Sequence, residues 1–201
     1  LPPCEPCDFS KDSIADWVSV EVTAADLCPR YSGRVFTDLV KGPSPLWMRR
    51  RLLAAGMRPI SNMVDLTNYI MIELNQPLHA FDLERLTDKK IVVRRARMNE
   101  TMVTLDGVSR SLTTEQLLIA DSERGQCIAG IFGGTTSEVG EETKTVFLES
   151  AYFSPLNIRR TAAALSLRTE ASIRFAKGGI DPSGTIRALN RAAYLLQKLE
   201  I

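Results

Sequence analysis

Glu149 is the residue of this 201-residue chain whose type and position most invite chemistry. It follows the apolar run Val146-Phe147-Leu148, which reads as a short strand, so the carboxylate stands where a strand hands over to a loop. An ionised carboxylate there can accept a hydrogen bond from a ligand hydroxyl or form a salt bridge with Arg159 or Arg160. Thr169 and Glu170 open a helical turn that Gly178-Gly179 ends, which makes Thr169 a capping hydroxyl and places the small Ala171 in the first turn. Gly133-Gly134 follows the apolar segment 127–132, where glycine allows a ligand close to the backbone or simply forms a turn. The single histidine, His79, lies between Leu78 and Ala80 and is either a hydrogen-bonded structural residue or part of a site.

Several reaction classes are not supported. With one histidine, a Ser-His-Asp triad would have to be built around His79, and no serine is marked as its partner. Neither G-x-x-x-x-G-K-[ST] nor G-x-G-x-x-G occurs, so no phosphate cradle is expected. Cys4-x-x-Cys7 has no second C-x-x-C, so no metal site is expected, and the four cysteines read as unpaired thiols of a reducing cytoplasm. A net charge of +1 gives no global field toward nucleic acid or membrane, and no apolar run is long enough for a membrane span. Any RNA contact would come from local clusters such as Arg49–Arg51, which otherwise reads as a solvated face, or Arg94–Arg97.

The elements that must position these groups mix strands and helices without regular βαβ alternation. That pattern predicts an α+β fold, mainly antiparallel sheets packed with helices in layers. Residues 1–16, rich in proline and charge, read as a linker from an upstream domain, and the Leu-Pro-Pro start suggests an excised fragment; residues 17–201 form one domain. Strands are expected at Trp17–Val22, Tyr31–Val40 and Lys90–Arg97, and at 117–121 and 127–132; a hairpin is expected around Asp106-Gly107. Gly42-Pro43-Ser44-Pro45 leads into a helix that Gly56 closes. Asn62–Leu74 carries Met63, Leu66, Ile70 and Leu74 on one side, with Asp65, Asn68 and Glu73 on others as partners for neighbouring backbone. Gln76–Asp82 reads as a break, Ser154-Pro155 as a helix start, and Pro182–Ile201 as a helix capped by Asp181. On that last helix Ile186, Leu189, Ala193 and Leu196 should face inward and Arg187, Arg191 and Lys198 outward.

Two long segments carry a family resemblance. LESAYFSP, followed by RTEAS and a basic KG-x-DP segment, resembles the editing domain in the beta subunit of bacterial phenylalanyl-tRNA synthetase. NMVDLTNYIMIELNQPLHAFD, Asn62–Asp82, resembles the same family in the same order, and the likeness runs roughly from Ser32 to Leu196. Ala176 departs from it, standing where the family usually has an acidic residue. The resemblance implies a domain that hydrolyses tyrosine mischarged onto tRNA(Phe), with Glu149, Thr169, Ala171, Gly133 and His79 in the substrate pocket and no assigned catalytic group. It implies that the parent enzyme is a cytoplasmic heterotetramer of two alpha and two beta subunits, which uses ATP and magnesium at a synthetic site in the alpha subunit. The fragment itself is expected to hold neither cofactor nor metal. A non-catalytic scaffold that binds tRNA or packs between subunits is the alternative. Removing Glu149 is expected to strand no buried partner.

Overall fold

The computed structural model describes residues 13–199. Cys4, Cys7 and most of the expected linker lie outside them, and Ile14–Asp16 form one 3-10 turn capped by Ser13. In chain order come strands β1 (Ser19–Val22) and β2 (Arg30–Phe36), helices α1 (Leu46–Ala54) and α2 (Asn62–Leu74), and strands β3 (Leu78–Asp82) and β4 (Lys90–Arg95). Then follow β5 (Glu100–Val103), β6 (Ser109–Leu112), β7 (Leu117–Ala120), β8 (Gly125–Ile128), β9 (Phe132–Gly133) and β10 (Val146–Tyr152). Helices α3 (Pro155–Ala164), α4 (Glu170–Lys177) and α5 (Gly184–Leu199) close the chain. The fold is α+β, as expected, and all strand pairs are antiparallel except β1 with β4.

The layering follows from β10. It is the central strand of a three-stranded sheet, β2-β10-β3, and six of its seven residues are buried. Successive side chains of a strand point to opposite faces. Val146 and Leu148 therefore join Met48, Leu52, Leu66, Ile70 and Leu189 in a core beneath α1, α2 and α5. Phe147, Phe81 and Ala151 face the other way, into a core shared with the five-stranded sheet β1-β4-β7-β8-β9 and with Ile158 and Phe175 of α3 and α4. A strand apolar on both faces reads as a continuous run rather than an alternation, which is why VFL was legible as a strand.

Several expectations require correction. Gln76–Asp82 follows the end of α2 at Leu74, as expected of a helix break, but from Leu78 onward it is also edge strand β3, because the backbone finds a ladder with β10. The segment at 127–132 is split by a turn at residues 129–131 into β8 and β9. Ser154 makes no side-chain capping bond, although Pro155 does occupy the first turn of α3. Helix α5 starts at Gly184, and Asp181 binds Ser183 instead of capping it. Its buried face holds Leu189, Ala193 and Leu196, as expected, together with Thr185, Ala188, Ala192 and Leu195. Ile186, expected inward, is 43% exposed, while Arg191, expected outward, is 9% exposed and held by Glu73 through two bonds of 2.8 and 2.9 Å. Of the basic clusters, Arg94 binds Glu100 and Arg95 binds Asp26, each bidentate, and Arg51 donates to the Tyr69 hydroxyl, so these cations are engaged within the fold.

Candidate active site

A cavity of about 340 Å³ opens between the β10–β3 face, the β8–β9 turn, the start of α4 and one side of α2. Its size falls at the lower end of the range for small-molecule sites, about 300–1,000 Å³. Each of the five residues singled out from the sequence lines it: Glu149, His79, Gly133, Thr169 and Ala171. Strand register explains the first three. Glu149 on β10 pairs directly with His79 on β3, so their side chains leave the same face side by side. Gly133 lies across from them on β9. A Cβ at Gly133 would sit 2.7 Å from Cε1 of His79 and 3.1 Å from Leu105, so only glycine lets this wall close over the imidazole.

Thr169 and Ala171 arrive through helix capping. The Thr169 hydroxyl accepts from the Ser172 N–H at 3.1 Å, and the Ser172 hydroxyl answers the Thr169 N–H at 2.9 Å. Thr169 also donates to the Ile131 carbonyl at 2.9 Å, tying α4 to the β8–β9 turn. Its hydroxyl is thus committed to positioning the wall. The N–H groups of Glu170 and Ala171 belong to the first turn, whose donors have no intrahelical acceptor. The Glu170 side chain lies at the rim, bonded to Arg174 at 2.6 Å.

Electrostatically the site centres on Glu149, which is 5% exposed. Burial pushes its carboxyl up from 4.5 to about 7, opposed by one hydrogen bond, from the Tyr31 hydroxyl to Oε2 at 2.8 Å. The salt bridge considered from sequence does not form: Arg159 instead donates to the Ala176 carbonyl at 2.8 Å. Nor is Glu149 without a buried partner, since Tyr31 would lose its acceptor if the carboxylate were deleted. Burial holds His79 down, from 6.5 to about 4, so its imidazole is neutral at physiological pH; its ring packs edge-on against Phe81 at 4.6 Å. Cys127 also lines the cavity, and burial raises its thiol well above the usual range, so it supplies no thiolate nucleophile. Among the described residues no group of three or more His, Cys, Asp or Glu is placed to hold a metal ion, and no helix is long and apolar enough to cross a membrane.

Sequence reading missed part of the lining. Met57, Thr67, Asn68 and Met71 bring α2 and the end of α1 to the cavity, and Leu105 comes from the β5–β6 connection. Asn68, expected to satisfy neighbouring backbone, is half-buried and borders the cavity. Tyr31 carried no signal beyond strand propensity, because its role depends on the β2–β10 register.

Comparison with known proteins follows the same outline. The model of the B3/4 domain family matches residues 27–200. The chain is 52% identical over 182 residues to the phenylalanine–tRNA ligase beta subunit of Carboxydothermus hydrogenoformans, covering 90% of this chain and 23% of that protein. It is 50% identical over 189 residues to that of Geobacillus kaustophilus, covering 94% and 23%. The chain thus spans about a quarter of the length of these relatives. Among solved structures it resembles an N-terminal fragment of the phenylalanyl-tRNA synthetase beta subunit from Pyrococcus horikoshii, with a TM-score of 0.51 and 18% identity over 80% of this chain and 51% of that one, a likeness of fold. With a family match over most of its length and relatives of one kind at half identity, the chain belongs to the B3/4 domain family, in the form carried by phenylalanine–tRNA ligase beta subunits.

Proposed function

We propose that this chain is the editing domain of a phenylalanine–tRNA ligase beta subunit, and that its cavity selects the tyrosyl ester of tRNA(Phe) for hydrolysis. The observation that carries this reading is Glu149: a buried carboxylate facing an otherwise largely apolar cavity, bonded through Oε2 to Tyr31. A tyrosine ring entering the cavity gives the carboxylate a phenol donor. A phenylalanine ring removes water from it and returns nothing, which is the asymmetry by which a polar pocket rejects an analogue lacking a hydroxyl. A hydrogen bond to a charged acceptor contributes about 1.5–3 kcal/mol, or roughly ten- to a hundredfold in discrimination. At the other end of the ligand, the first-turn N–H groups of Glu170 and Ala171 are suited to an oxyanion, and neutral His79 can accept a hydrogen bond from the ammonium group or from water. An ester with a ribose leaving group needs orientation of water and charge stabilisation more than a protein nucleophile.

In the same proposal the parent protein joins phenylalanine to tRNA(Phe) in the cytoplasm, as a heterotetramer with an alpha subunit that houses the synthetic site and uses ATP and magnesium there. The test is single-turnover deacylation of Tyr-tRNA(Phe) by the full-length protein and its Glu149→Gln variant, with melting curves in parallel. Glutamine keeps an acceptor for Tyr31 and removes the charge. Clearance of tyrosine should fall by about ten- to a hundredfold. Wild-type rates in a folded Glu149→Gln protein would sink the assignment.

A further inference from the structure

We propose that Tyr31 is a specificity-determining residue of this cavity, its buried hydroxyl holding one oxygen of Glu149 so that the other is the one offered to a ligand's phenol. The inference rests on the reading of the cavity as a phenol-selecting site and adds a residue to it. Register supplies the geometry. On β2, Tyr31 pairs with Ala151 and Gly33 pairs with Glu149, so Tyr31 is the diagonal neighbour of Glu149 on the same sheet face. Gly33 leaves the lane between them free of a side chain; the Phe147 ring fills it and stacks on Tyr31, with centroids 6.4 Å apart and planes 13° from parallel. The Tyr31 ring is therefore fixed, and its hydroxyl reaches Oε2 at 2.8 Å.

Fixing one oxygen has two consequences. The carboxylate cannot swing to meet a misplaced ring, so its free oxygen reads one position of the ligand's hydroxyl. The bond also favours the ionised form, against the burial that pushes this carboxyl up to about 7. The other titratable groups facing it do not take over that task. Across the β3 ladder His79 is neutral, the thiols of Cys28 and Cys127 are held protonated by burial, and Glu170 at the rim is bonded to Arg174. Tyr31 is thus the donor that keeps Glu149 an acceptor near neutral pH.

The experiment measures kcat/KM for hydrolysis of Tyr-tRNA(Phe) and Phe-tRNA(Phe) by the holoenzyme containing this chain, from pH 6 to about pH 8.5. The wild-type ratio should favour tyrosine strongly; a ratio near one would overturn the editing assignment itself. Tyr31→Phe should lower the ratio about three- to tenfold at pH 7, through slower clearance of tyrosine with no fall in Phe-tRNA(Phe) hydrolysis. The loss should recover toward the alkaline end, as Glu149 ionises without its donor. In a Glu149→Gln background, the same substitution should produce no pH-dependent loss. Tyr31→3-fluorotyrosine keeps the ring and strengthens the donor, so it should move the inflection to lower pH; it decides the matter alone if Tyr31→Phe melts below the assay temperature. A high wild-type ratio with the Tyr31→Phe ratio and inflection at wild-type values, equal loss for both substrates, or an unmoved inflection with fluorotyrosine would each overturn the role of Tyr31.

Discussion

Replacing Glu149 by glutamine should make the unliganded protein more stable above neutral pH. In the folded state the carboxyl is raised from 4.5 to about 7 by burial. Between those values the native protein holds a proton that the unfolded chain has released, so stability falls as pH rises through this window and levels off above it. At about 1.36 kcal/mol per pH unit, the displacement amounts to about 3 kcal/mol held against the fold at pH 8, an upper figure for a group bordering a cavity. Glutamine is close to isosteric, still accepts from Tyr31, and carries no charge to desolvate. Differential scanning calorimetry at matched pH isolates the effect, because every other titrating group cancels in the difference. The variant should melt about 5–10 °C above wild type at pH 8 and within a degree or two of it near pH 4.5, where wild-type Glu149 is neutral. Paired with loss of tyrosine clearance, this marks a residue kept for function at a cost in stability. A variant no more stable than wild type at pH 8 would show that Glu149 is not under the desolvation inferred from its surroundings.

His79 should behave in the opposite sense. Burial holds it down to about 4 from 6.5, so stability is lost as pH falls through that interval. His79→Gln should abolish this acid limb and expose the fall with rising pH due to Glu149, whereas wild type should be nearly flat between pH 5 and about pH 6.5; thermal melts of both proteins across this range test the crossing. Away from the cavity, Glu73→Ala removes the bidentate carboxylate from Arg191, whose side chain is 11% exposed, and should cost about 2–4 kcal/mol in urea unfolding; a loss below about 0.5 kcal/mol would mean that the pair behaves as a surface bridge.

What the sequence determined was local. The stripe Met63, Leu66 and Ile70 fixes which side of α2 enters the core, because a 3.6-residue period is written in consecutive positions. Asp106-Gly107 marks the β5–β6 turn, with Gly107 at φ +76°, and Thr169 marks the start of α4, because turns and caps need particular residue types at particular steps. The resemblance in its two long segments covers Glu149, His79, Thr169 and Ala171, and the glycine pair after an apolar segment marked Gly133; all five are among the residues that line the cavity. What tertiary structure decided was which face meets which, and in what register. Edge strand β3 read only as the end of a helix, because it is stabilised by its ladder with β10 and not by its own propensity. Arg191 read as exposed because the packing of α5 on α2, which brings it to Glu73, is not written in either helix alone. Tyr31 and Glu149, 118 positions apart, meet because two antiparallel strands pair at one register out of many, and a shift of one residue would put the two side chains on opposite faces. No periodicity along the chain encodes that alignment; it is set by the packing of both sheet faces at once, and with it the charge state of the carboxylate on which the site depends.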